Sequence, residues 1–508
     1  MKKWWVKLLL VLVFILLALS TWFIGSGTQS RDMVERYRKQ LLAAGERLDI
    51  DAFTPPRVDP DKNGAALFDK AGWYIAPRGM SLVSTNPPTP MEIVAPAKAR
   101  VLWQQDEIIS VKYSRQSTNT WTDIEGDLAN QNSAVELLQQ AAAYPEFDFG
   151  IDYHQPSAQV PHVSKLREAV ALLSARVIFD LHHGDTDAAA RNLHTLLMIA
   201  NAGKNEPIIS SQIMRAALLQ TALAVQWEFL QATNLTDEQL SMLQTNWMGA
   251  NFVKPAEITF LRARTTIPAD IKGDNRFGPR GHASIGLVGG GFNSPQRFVR
   301  SMKFRLGDAL WRESWCYDDE LRLMELCSVM ADTMRQAETN GYFKDALASR
   351  ERQIVALGLN RTNADSLRNQ FGSDYADYTP QSVRALASQM DRMISVEAWR
   401  KCAVVAIALK RYELRRGTLP KELNALVPDF LSKVPRDPID ERPLRYRLNA
   451  DRTFLLYSIG VDGVDDGGDA TAISSSAFYS QWQLGRDWVW PQPATSAEIK
   501  YYYDHPPK

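Results

Sequence analysis

The sequence predicts a mainly α-helical fold with a small α+β module near the C-terminus. Three observations point there. Through residues 163–203 apolar side chains recur at helical spacing, with Leu166, Val170, Leu173, Val177 and Leu181 forming one stripe. A second helical pattern fills residues 394–416 and includes Val396, Trp399, Val404, Ile407, Ala408 and Tyr412. Two short strand-like runs, 444–448 and 453–459, follow it and add the β component.

Composition sets the frame. A chain of 508 residues is long enough for two to four domains. Lys+Arg and Asp+Glu both number 58, so no global field attracts nucleic acid or anionic lipid, and a nucleic-acid partner is not expected. Three cysteines, an odd number, exclude a fully paired disulfide framework. Cys316 and Cys327 share one predicted helix, where a rise of about 1.5 Å per residue separates them by roughly 16 Å, too far for a bond. Cys402 falls inside an apolar helical pattern and reads as a small buried hydrophobe.

In chain order, lysines at positions 2, 3 and 7 precede an apolar run, 8–24, broken only by Ser20 and Thr21. A basic segment before an apolar core is the export pattern, and 17 residues reach the low end of a membrane span. Trp4, Trp5 and Trp22 stand where an aromatic belt would sit. The expectation is an uncleaved signal-anchor: one transmembrane helix in the inner membrane, with the rest of the chain in the periplasm. Residues 31–48 read as a helix leaving it. Pro55, Pro56 and Pro60 then set an extended linker. A short helix is expected at 63–75, an irregular stretch at 76–98, and helices again at 97–111 and 133–143.

Residues 163–203 form the best helical hairpin in the chain. Gly184 stops the first helix, and Asp185-Thr-Asp187 starts the second, with Ala189, Leu193, Leu196, Leu197 and Ala200 as its stripe. Two helices about a Gly-Asp turn resemble a tetratricopeptide-like unit. A third helix spans 208–231. Thr236 followed by Gln239 fits a capping box that opens a fourth. Glycines and Pro268 interrupt residues 265–296, which read as a mobile loop because no Gly-Lys-Ser/Thr or βαβ setting accompanies the glycine run 286–291. Helices return at 318–339 and 340–358, the first with Asp318, Asp319 and Glu320 at its start, where the helix dipole favours negative charge.

No Gly-x-Ser-x-Gly, His-Glu-x-x-His or Cys-x-x-Cys motif is present. The one histidine arrangement that suggests a metal is His183 with His194, facing each other across the hairpin turn. Asp462, Asp465, Asp466 and Asp469 bring four carboxylates into eight residues, with Gly463, Gly467 and Gly468 between them. Such a loop is either a solvated turn or a calcium site, since calcium accepts six to eight oxygens in irregular geometry.

The order Gly417-Thr-Leu-Pro420, Val434-Pro-Arg-Asp-Pro438, Pro443-Leu-Arg-Tyr446, Leu456-Tyr-Ser-Ile-Gly460 and then the acidic loop resembles the headgroup of the major pseudopilins of type II secretion. That resemblance implies a long helix on a small antiparallel sheet and a calcium-binding late loop, carried here onto Asp462 and Asp465, with Asp466 and Asp469 behind them. The prepilin-peptidase site of that family is missing. The whole chain also resembles uncharacterised membrane-anchored envelope proteins of Gram-negative bacteria.

The organisation expected is therefore an anchor (1–27), a juxtamembrane helix with a proline-rich linker and irregular region (28–160), a helical domain with its glycine-rich loop (161–390), a pseudopilin-like α+β domain (391–475) and an aromatic tail (476–508). The function expected is a membrane-anchored extracytoplasmic scaffold or interaction protein with a protein partner in the envelope and a calcium-stabilised C-terminal module. The alternative is an envelope hydrolase with an unidentified site between the helical layer and the glycine-rich loop, which rests on His183, His194, His282 and nearby acids converging.

Overall fold

The computed structural model describes residues 2–77, 80–81, 83, 87–112, 115–155, 158–273, 306–307, 309–360, 379–472 and 485–505. The fold is mainly helical, with three small sheets among these residues. In chain order the elements are α1 (Lys2–Ala43), α2 (Ala65–Ala71), β1 (Glu92–Ala95), β2 (Lys98–Arg100), β3 (Ile108–Lys112), β4 (Arg115–Asn119), α3 (Trp121–Ala129), α4 (Asn132–Ala142), α5 (His162–His182), α6 (Thr186–Ala200) and α7 (Ile209–Leu230). They continue with α8 (Asp237–Gly249), α9 (Val253–Gly273), α10 (Cys316–Asn340), α11 (Lys344–Ala356), α12 (Thr379–Arg416), β5 (Arg445–Leu448), β6 (Phe454–Ser458), β7 (Trp488–Val489), β8 (Gln492–Pro493) and α13 (Ser496–Asp504).

The helical stripes behave as their spacing requires. Leu166, Val170, Leu173, Val177 and Leu181 on α5 are all buried, as are Val396, Trp399, Val404, Ile407 and Ala408 on α12. Gly184 takes φ +75, a left-handed conformation that a side chain disfavours, and Asp185 caps α6 by accepting from the Ala188 N–H at 2.9 Å. The Thr236–Gln239 capping box opens α8 with both reciprocal bonds made. All three cysteines are free and buried.

Other expectations gave way to tertiary contacts. Residues 97–111 are not a helix: β2 pairs antiparallel with β1 and parallel with β8, and β3 begins a hairpin with β4. Two long-range partners, the tail and Glu228, set this local structure. Helix α9 continues to Gly273, past Thr265 and Pro268 where a loop was expected. The Thr265 and Thr266 hydroxyls donate back to the Arg262 and Ala263 carbonyls in its last described turns. The remainder of the expected loop, 274–296, lies outside the described residues.

The expected membrane anchor requires correction. Among the described residues no helix is long and apolar enough to cross a membrane. Residues 8–24 instead open α1, one continuous helix of 42 residues whose C-terminal half docks on the protein. A Cβ at Gly27 would fall on the Glu313 carbonyl, Arg38 pairs with buried Glu320 at 2.6 Å, and the Tyr37 hydroxyl donates to Ser328 at 2.9 Å. A span needs about 20 consecutive apolar residues. The described side chains at the start of α1 are Trp4, Lys7, Leu10, Val11, Val13 and Phe14, all exposed, and they do not amount to such a segment. The signal-anchor, the membrane as a partner, and the inner-membrane single-pass placement with its periplasmic bulk all fall with the span.

One continuous apolar core runs from Phe68 to Trp490. The tail closes it. Within six residues the chain leaves the β5-β6-β7 sheet, where Trp488 and Val489 pair with Ser458 and Tyr457, and enters the β1-β2-β8 sheet beside Lys98 and Ala99. Between the two, Trp490 is buried 5.8 Å from the Trp399 ring, and the Trp227 indole donates to the Pro491 carbonyl at 2.8 Å. One residue after Trp227, the fully buried Glu228 carboxylate accepts the Met91 N–H at 2.8 Å and the Leu102 N–H at 3.0 Å.

Burial pushes the Glu228 pKa up to about 7, although these N–H groups favour the anion. The folded chain thus holds this proton more tightly than the unfolded chain. The resulting stabilisation is complete below the unfolded carboxyl's value of 4.5 and is lost as pH rises through about 7. Urea unfolding of the wild type should show a loss of roughly 2 to 3 kcal/mol from this group between pH 5 and pH 8. Glu228→Gln, which cannot ionise, should flatten that slope; an identical slope in the variant would assign the pH dependence elsewhere.

Candidate functional site

The acidic loop was the leading candidate in the sequence, and the structure distributes its carboxylates among separate partners. Asp462 accepts the N–H of its own Val464 at 3.1 Å. Asp465 accepts the Tyr457 hydroxyl at 2.9 Å, the Gly467 N–H at 3.1 Å and Arg445 Nε at 3.1 Å. Asp466 and Asp469 each lie 3.7 Å from the Arg486 guanidinium. Like charges so close in sequence need positive charge nearby, and here two arginines provide it. Among the described residues no group of three or more His, Cys, Asp or Glu is arranged to hold a metal ion.

Arg445 is the centre of this cluster. Besides Asp465 it holds Asp437 at 2.9 Å and Asp440 at 2.8 Å. Asp437 is fully buried and also accepts from the Ile439 and Ile459 N–H groups and the Ser458 hydroxyl. Burial dominates at Asp437 and raises its carboxyl above the usual range. At Asp440 and Asp465 burial works upward too, but hydrogen bonds and charge, Arg445's among them, outweigh it and hold both carboxyls low. The cluster ties the 437–440 turn, β5 and the acidic loop together, which is a structural task. Arg445→Met should cost about 3 kcal/mol in denaturant unfolding, because it leaves a buried carboxylate without its cation. Asp462→Asn, at the exposed end of the loop, should change stability by less than about 0.5 kcal/mol.

The histidines do not assemble either. His183 Nδ1 lies 3.0 Å from the Phe179 carbonyl, whereas His194 Nδ1 lies 2.7 Å from the Asn246 side chain. Burial lowers the His194 pKa, opposed by that Asn246 contact. His282 and the glycine run 286–291 lie outside the described residues.

What the structure does bring together is a cleft of about 710 Å³ that no sequence motif marks. The proline linker (52–58) forms one wall. The 146–148 turn and Tyr153 form another, and the 201–207 connection with the first turns of α7 and α9 closes the rest. Proline holds these edges without demanding backbone partners: Pro55 and Pro56 in the linker, Pro207 before α7, Pro255 in the first turn of α9. Phe53, Val58, Phe147 and Ile258 supply apolar surface, and Asn201, Asn205 and Asn251 supply amides. The volume is that of an ordinary small-molecule site.

Two buried groups stand out on this lining. The Glu206 carboxylate, 4% exposed, faces the equally buried His162 ring at 2.9 Å, and that ring stacks on Phe149 at 4.0 Å. The Arg215 guanidinium, 2% exposed, lies over the Phe252 ring at 4.4 Å. It donates to Asn201 Oδ1 at 2.7 Å, Gln212 Oε1 at 3.2 Å and the Asn251 carbonyl at 2.7 Å. Burial drives its pKa down to about 9. Sequence reasoning did not single it out: 208–231 read only as a third helix, and the one signal there is an arginine inside an Ala- and Leu-rich segment. No family model, curated protein or solved structure matches this chain.

Proposed function

We propose that the protein is a non-catalytic binding scaffold, a helical body that holds a ligand in the cleft between the proline linker and the first turns of α7 and α9. The observation that supports this reading is the cleft itself: about 710 Å³, bounded by apolar side chains and amides, at the convergence of separate chain segments. Several of the charged groups around it are tied into pairs, Arg57 with Asp148 at 3.0 Å and Lys204 with Glu146 at 3.0 Å, which suits holding a ligand better than turning one over.

The finer description of the fold belongs to the same proposal. We take α5 and α6, packed on each other about Gly184, as a tetratricopeptide-like hairpin, and α12 with the β5-β6-β7 sheet as a pseudopilin-like module. The proposal does not extend to calcium, because Arg445 and Arg486 already attend the loop carboxylates.

The test places p-benzoylphenylalanine at Val58, on the cleft wall, or at the exposed Lys39 on α1. Cells expressing either protein are irradiated, and the intact mass of the purified chain is measured. Position 58 should gain a covalent adduct of discrete mass and position 39 should not. Adducts of equal yield at both positions, or none at 58, would sink the reading.

A further inference from the structure

The cleft contains one cation that no carboxylate among the described residues answers. Each of its other cations has a carboxylate: Arg57 lies 3.0 Å from Asp148, Lys204 lies 3.0 Å from Glu146, and Lys254 lies 2.7 Å from Glu257. Glu206 in turn faces His162. Arg215 is the exception, since all three acceptors it meets are neutral, two side-chain amides and one backbone carbonyl. Among the described residues no carboxylate lies within ion-pair distance of it. Glu397 is the acid that acts on it through space, and that side chain is already taken by Arg400 at 2.6 Å. With its pKa at about 9, Arg215 keeps its charge at neutral pH.

A cation taken this far out of water without a counter-ion is costly to keep, and a buried, perturbed ionisable group in a cleft is a functional-site signature. Resting on the binding reading above, we propose that Arg215 is the anchor for the carboxylate of a small organic monoanion whose apolar body lies against Phe53, Phe147 and Ile258. Two features favour a carboxylate over a phosphate. A guanidinium has five N–H donors; with Nε and one donor on each terminal nitrogen committed, one N–H remains on each terminal nitrogen, enough for the two oxygens of a single carboxylate edge. Arg215 is also a single cation without a carboxylate of its own among the described residues, where a dianion would ask for two. Fixed by protein amides and by the Phe252 ring, the guanidinium is pre-oriented and loses little freedom on binding.

The experiment uses the full chain and three probes that share one body: 3-phenylpropionate, 3-phenylpropionamide and 3-phenylpropylamine. Binding is followed by ligand-observed NMR and calorimetry. The acid should bind at least tenfold more tightly than the amide, and the amine should not bind. In Arg215→Gln the acid should fall to the affinity of the amide. If that variant does not fold, displacement of 3-phenylpropionate from the wild type by acetate but not by acetamide reads the same preference. Equal binding of acid and amide, or binding of none of the three, overturns the anion assignment. The cleft reading fails separately, through the absence of an adduct at position 58.

Discussion

A carboxylate with no access to water must be met by hydrogen-bond donors, and at the end of α7 Glu228 makes that demand on two distant stretches of chain. It gathers the backbone N–H groups of Met91 and Leu102, which flank the β1–β2 hairpin. The neighbouring Trp227 holds the Pro491 carbonyl, so the tail reaches the same helix end and adds β8 to that hairpin. A few residues earlier the tail has already completed the other sheet through β7. The region before the helical middle and the module after it are thereby parts of one core. A charged group is an expensive way to achieve this, because its desolvation weakens the fold as pH rises. What it provides is selectivity of partner, since few other side chains accept several N–H groups from one buried point.

Arg215 is a mirror case. Glu228 is surrounded by donors and its charge is partly suppressed, whereas Arg215 is surrounded by neutral acceptors and its charge persists. The first arrangement closes a structure. The second leaves an electrostatic demand facing a cleft. Arg445 shows what a guanidinium looks like when the protein satisfies it: three aspartates within 3.1 Å, and a role confined to binding a turn, a strand and a loop together.

Much of the secondary structure was legible beforehand. The stripe on α5, the stop at Gly184, the cap at Asp185, the Thr236–Gln239 box and the apolar pattern of α12 all depend on residues within a few positions of one another. The failures share the opposite property. Residues 97–111 have a helical look, yet partners from Glu228 and from residues 492–493 draw them into strands. At the acidic loop the sequence shows neighbouring carboxylates and hides their partners Arg445 and Arg486, which come from before and after it. The apolar run at 8–24 suggested a membrane segment, whereas the helix it opens continues to Ala43 and docks through Gly27, Tyr37 and Arg38.

By itself, then, the sequence determined that this is a mainly helical protein without a fully paired disulfide framework, with capped helices and a small β component. Helical periodicity and capping are local and survive without knowledge of the fold. Only the tertiary structure decided which charges are answered and which are not. Asp437 finds Ser458 from 21 positions away, Glu228 finds Met91 from 137, and Arg215 finds Asn251 from 36 but, among the described residues, no carboxylate within ion-pair distance. Electrostatic partnership is a property of distance in space, and a one-dimensional pattern does not record it.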